Sequence, residues 1–125
     1  MPLLLWLAAA MALLTTLVHT FAGGREVARP LLDSDALPPA SKWLNYYCWH
    51  ITTILLAFMA AGYALAAWNA DYRPIALFLT PLCATLSVLS AAVAMKGGIA
   101  PLKLPSTSLF AATAALGAAG LALAA

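Results

Sequence analysis

The spacing of its few charges constrains this chain more than any other feature. Six basic and four acidic side chains are placed so that four stretches carry none: Pro2 to Ala22, Trp43 to Trp68, Pro74 to Met95 and Ser106 to Ala125. Each is about the 20 residues that a helix needs to cross the hydrocarbon of a bilayer. Charged residues make up 8% of the chain and mean hydropathy is +0.96, against roughly 25% charged residues in a soluble domain. A soluble domain of this size cannot hide so much apolar surface, because small folds keep a large share of their surface wet. The expectation is therefore one domain, residues 1–125, with spans at about 2–22, 43–68, 74–95 and 106–125 and a polar loop at 30–42.

The connections between these runs are short or moderate, which predicts an all-α integral membrane protein built as an antiparallel four-transmembrane-helix bundle. The first run lacks the charged start of a signal peptide and is too long for its apolar core, so it reads as a retained span. Pro30 disfavours helix at the residue before it, which puts the end of the first helix near Arg29. Pro81 is expected to kink the third helix mildly. The last run is rich in alanine, with Gly117 and Gly120, and small residues let helices approach closely in lipid. Its Ala111, Ala115, Ala118 and Ala122 face suits packing within the bundle and between protomers equally.

A formal charge of +2 is too small to point to nucleic acid. The cations serve better as topology signals. Arg25, Arg29, Lys42, Lys96 and Lys103 fall in the first and third loops and Arg73 alone in the second. By the positive-inside rule the first and third loops are cytoplasmic and both termini outside. Cys48 and Cys83 lie inside apolar runs at different depths, so no disulfide is expected. Nucleotide-binding, zinc-protease, thiol-redox and nucleophile-elbow motifs do not occur.

The polar residues that remain concentrate between His19 and His50. This stretch holds both histidines, three of the four acidic residues and three of the six basic ones. His19 and His50 fall at similar depths on consecutive helices. At helical spacing His19 shares a face with Thr15, Gly23 and Glu26, and His50 with Tyr46, Tyr47 and Thr53. Consecutive helices tend to pack together, so the two faces are expected to meet near the cytoplasmic surface. Each residue also has a plain structural role. A histidine can bond across helices, the cations can reach lipid headgroups, Glu26 can pair with Arg25 or Arg29, and Trp43, Trp49, Tyr46 and Tyr47 can form an interfacial aromatic belt. Thr80, Cys83, Ser87 and Ser90 form a polar stripe suited to interhelical hydrogen bonds or to back-bonding onto their own helix.

Three functional readings compete. The favoured one is non-catalytic: a binding module or accessory subunit of a larger membrane complex, or a self-associating protein, whose partners are membrane lipids or other proteins. Its candidate binding residues are His19, His50, Arg25, Arg29, Glu26, Tyr46 and Tyr47. The second is haem b held axially by His19 and His50, or a divalent metal held by His19, His50 and Glu26. The third is a small membrane enzyme acting on a lipid-like substrate, with a histidine as general acid or base.

The segments His19-Thr20-Phe21-Ala22-Gly23-Gly24-Arg25-Glu26-Val27-Ala28-Arg29-Pro30-Leu31-Leu32 and Tyr46-Tyr47-Cys48-Trp49-His50 resemble a group of small uncharacterised bacterial four-span inner-membrane proteins. The likeness covers the first half of the chain. It implies a bacterial cytoplasmic-membrane setting and carries no activity.

Overall fold

A computed structural model of the chain describes residues 2–123. Four helices account for almost all of it: α1 (Pro2–Asp33), α2 (Pro39–Trp68), α3 (Arg73–Lys96) and α4 (Pro105–Leu123). Short 3-10 turns at Ala70–Tyr72 and Pro101–Lys103 complete the second and third connections. The end of the expected fourth span, residues 124–125, lies outside the described residues.

Helix starts follow proline. Pro39 and Pro105 sit in the first turns of α2 and α4, and Pro74 in that of α3. A fixed φ suits this position, and the missing N–H would be unpaired there in any case. The end of α3 is a Schellman motif, with Ile99 N–H donating to the Ala94 carbonyl and Gly98 N–H to that of Met95. It requires the left-handed backbone of Gly98, at φ 69°, which glycine adopts without steric cost. Asn69 turns the chain between α2 and α3 by accepting the Asp71 N–H at 3.0 Å. α3 runs unbroken through Pro81.

The first helix departs from expectation. It does not stop at Arg29 but continues to Asp33, and its Val18–Ala28 segment is wound as a π-helix. The Arg29 N–H reaches back five residues to the Gly24 carbonyl. Pro30 falls at the point where this wider winding returns to α. A proline inside an α-helix loses one hydrogen bond and collides with the carbonyl four residues back. At a change of register the lost bond costs least. The first loop shrinks accordingly to residues 34–38, and α2 begins four residues before the expected Trp43.

Each helix packs on its neighbours in the chain, and α4 closes back on α1. Close approaches fix the antiparallel sense: Gly120 near the end of α4 lies against Leu4 and Leu5 at the start of α1, and Gly62 of α2 lies against Ile75 and Leu79 of α3. The shared core takes Leu5, Ala8 and Ala12 from α1, Leu56, Met59 and Tyr63 from α2, Ala76, Leu79 and Cys83 from α3, and Phe110 and Ala114 from α4. The α3 stripe acts between helices as expected. Tyr63 Oη meets Thr80 Oγ1 at 3.0 Å, Ser87 donates to the Thr107 carbonyl at 2.7 Å, and Ser90 bonds Ser106 and Thr107. Arg73 donates to the Leu121 carbonyl at 3.2 Å, which satisfies an open backbone group at the end of α4.

Large apolar side chains such as Phe58, Trp68, Phe78 and Val88 point outward. No more than 28% of the most apolar 18-residue window of any of the four helices is buried in the bundle. In water such a surface would drive aggregation, and in a bilayer it is the solvent-compatible face. The chain is thus an all-α bundle whose four helices are long and apolar enough to cross a membrane. Ala111, Ala115, Ala118 and Ala122 are all exposed, so this face of α4 does not pack within the bundle. Cys48 is exposed, Cys83 is buried, and both are free.

Candidate functional site

Where α1 changes to π winding it passes the first third of α2, and the two helices meet through His19 and Trp49. The rings stack with centroids 3.9 Å apart and planes 20° from parallel. Gly23 makes room for this stack, because a Cβ at position 23 would lie 2.7 Å from the Trp49 ring. His19 Nε2 stands 3.2 Å from the Trp49 carbonyl and 2.9 Å from Thr53 Oγ1. A carbonyl only accepts, so Nε2 carries the proton. The Thr53 hydroxyl in turn donates to the same Trp49 carbonyl at 3.1 Å. Neutral His19 therefore keeps its free lone pair on Nδ1.

On one side of this pair lies a cavity of about 300 Å³ between α1, α2 and the start of α4. Its polar positions are Thr15, His19, Glu26, Thr52, Lys103 and Ser106. The remaining wall is mostly apolar, with Val18, Ala22 and Val27 from α1, Leu56 from α2 and Leu109 and Phe110 from α4. The volume is at the lower end of the range of small-molecule sites, and so is an apolar wall with a few convergent polar groups typical of them. Glu26 and Lys103 share this cavity without reaching ion-pair distance. Among the described residues the one ion pair is Arg29 with Asp33 at 3.9 Å, four residues apart and exposed on both sides. Such a pair adds roughly 0.3–0.5 kcal/mol.

On the other side of Trp49 is a second, more open cleft, and it takes the rest of the expected site. Tyr46, His50, Thr53 and Arg29 line it together with Thr20 and Gly24. His50 is exposed and packs edge-on against Tyr46 with ring centroids 4.5 Å apart. Trp49 lines both clefts. It divides the expected constellation into two groups: His19 and Glu26 on the cavity side, and His50, Tyr46 and Arg29 on the other. Arg25 and Tyr47 are exposed and line neither.

This division bears on the ligation readings. The two histidines fall on opposite sides of an indole. His19 Nε2 is already committed to Thr53 and the Trp49 carbonyl. Among the described residues no group of three His, Cys, Asp or Glu side chains is placed to hold a metal ion, so His19, His50 and Glu26 are not assembled as a ligand set. The haem and metal readings gain no support from this geometry.

Two participants were missed. In the sequence Trp49 reads as part of an interfacial aromatic belt, and Lys103 as a topology signal alone. The clue to Trp49 was the glycine pair one turn beyond His19, which leaves space for a large ring on the facing helix. Lys103 comes from a distant loop, and no local pattern ties it to Glu26. The chain matches no protein-family model, no curated protein and no solved structure.

Proposed function

We propose that this protein is a non-catalytic binding module of a bacterial cytoplasmic membrane, taking a lipid-like amphiphile into the cavity between α1, α2 and α4. The observation that carries this reading is the cavity itself, apolar over most of its wall and polar where Glu26, Lys103 and Ser106 contribute. An acyl or prenyl chain matches the apolar wall, and the polar positions face a headgroup. His19 acts as a fixed wall of the site, since its Nε2 is held by two partners on α2. The cavity end of the molecule also gathers Arg25, Arg29, Lys42, Lys96 and Lys103, and by the positive-inside rule this bias supports a cytoplasmic setting for that end, with both termini outside.

The test is native mass spectrometry of the protein released gently from its membrane. One bound amphiphile per chain is expected, and Ala22→Trp, which puts an indole into the cavity from an exposed wall position, should lose it. Equal lipid occupancy in the two proteins would overturn the reading. A second reading, as an accessory subunit of a larger assembly, is favoured by the outward alanine face of α4. Its mark would be a stable complex that survives Ala22→Trp.

A further inference from the structure

Glu26 and Lys103 are opposite charges on the wall of one cavity that do not neutralise each other. Glu26 comes from the π segment of α1 and Lys103 from the turn before α4. Both are exposed, both line the cavity, and the ion pair found among the described residues lies elsewhere. Two unlike charges at the surface of a low-dielectric site would gain by closing on each other. Unpaired on the wall of one cavity, they complement a ligand that carries both signs. A carboxylate accepts N–H donors from an ammonium, and a lysine ammonium meets a phosphate as a point charge. The cavity wall beyond them, at Leu56, Leu109 and Phe110, is chemically suited to a hydrocarbon chain.

We infer that the ligand is a zwitterionic amphiphile, with a primary ammonium directed to Glu26 and a phosphate to Lys103, as in an ethanolamine-headed phospholipid. This rests on the binding role proposed above and adds the identity of the headgroup. A purely anionic lipid keeps its phosphate on Lys103 but offers Glu26 no cation, and its net negative charge beside a carboxylate counts against it.

The experiment is a titration of the detergent-solubilised full chain, by native mass spectrometry, with ethanolamine-headed and glycerol-headed phospholipids of identical acyl chains. The ethanolamine lipid is expected to bind at least tenfold more tightly. Glu26→Gln should abolish that preference, and Lys103→Gln should weaken both lipids about tenfold. Both positions are exposed, so neither change threatens the fold. If the glycerol lipid binds as tightly as the ethanolamine lipid, or if Glu26→Gln keeps the preference, the zwitterion inference is wrong. Should Ala22→Trp still expel lipid in that case, the binding role stands without it. Should neither lipid bind the parent protein, the binding role falls as well.

Discussion

Gly117 shows how much a single missing methyl group can decide in this bundle. A Cβ there would lie 2.5 Å from Thr80 Oγ1 and 2.8 Å from the Tyr63 hydroxyl, the two groups whose hydrogen bond joins α2 to α3. Tyr63 is fully buried, beside Met59 and Cys83. Tyr63→Phe removes only the bond, and hydrogen bonds between membrane helices contribute about 0.6–1.7 kcal/mol. Gly117→Leu should cost about 1–3 kcal/mol more, because it forces the side chains apart as well as breaking the bond. Reversible unfolding in detergent micelles would measure both, and a Gly117→Leu cost no greater than that of Tyr63→Phe would show that α4 simply moves aside. At this scale the sequence was partly legible. The Thr80-to-Ser90 stripe announced its interhelical bonds because its spacing is helical. The face joining Thr15, His19, Gly23 and Glu26 also emerged, since all four line one cavity. Trp49 was not legible, since a tryptophan near the end of an apolar run is ordinarily interfacial, and only its partner on another helix reveals a different role.

Among the elements, α1 carries the largest departure from what residue patterns predict. The four apolar runs appeared as helices where they were expected, because run length and charge exclusion are strong signals. The π segment did not, since α periodicity was assumed throughout. Its traces were Gly23-Gly24 and the downstream Pro30, two features that each weaken α winding. π winding is rare and usually confined to a single turn, often at functional positions, and here it spans Val18–Ala28. Amides within it are expected to exchange with solvent deuterium at least tenfold faster than those of Ala8 to Thr15 in the same helix. Deleting Gly24 removes one residue from the wide turns and should restore α-like protection. Uniform protection along the parent helix, or no change on deletion, would mean that the π register adds no local weakness. Residue-resolved hydrogen exchange in nanodiscs reads both arms.

For the whole molecule, the ring order α1–α2–α3–α4 had no signature in the sequence. It depends on which small residues meet which bulky ones, such as Gly120 against Leu5 and Gly62 against Leu79. Orientation rests on loop charge alone, and Arg73, the single cation of the second connection, is engaged with the Leu121 carbonyl. In a Cys48→Ser background, Asp71→Cys should react with a membrane-impermeant maleimide in intact cells, and Lys96→Cys only after the membrane is opened. The reverse pattern would invert the assignment. The unequal lengths of the helices carry a further consequence. At 1.5 Å per residue α4 measures about 28 Å, a close match to a hydrocarbon layer of about 30 Å, whereas α1 and α2 run to roughly 45 Å. If α4 sets the depth, some 15 Å of the first helical pair must tilt or stand clear of the oily layer. The charges from Arg25 to Lys42 favour standing clear. The joint between the submerged and emergent parts of α1 then falls in its π-wound segment, so bilayer thickness bears directly on the wall that holds His19 and Glu26.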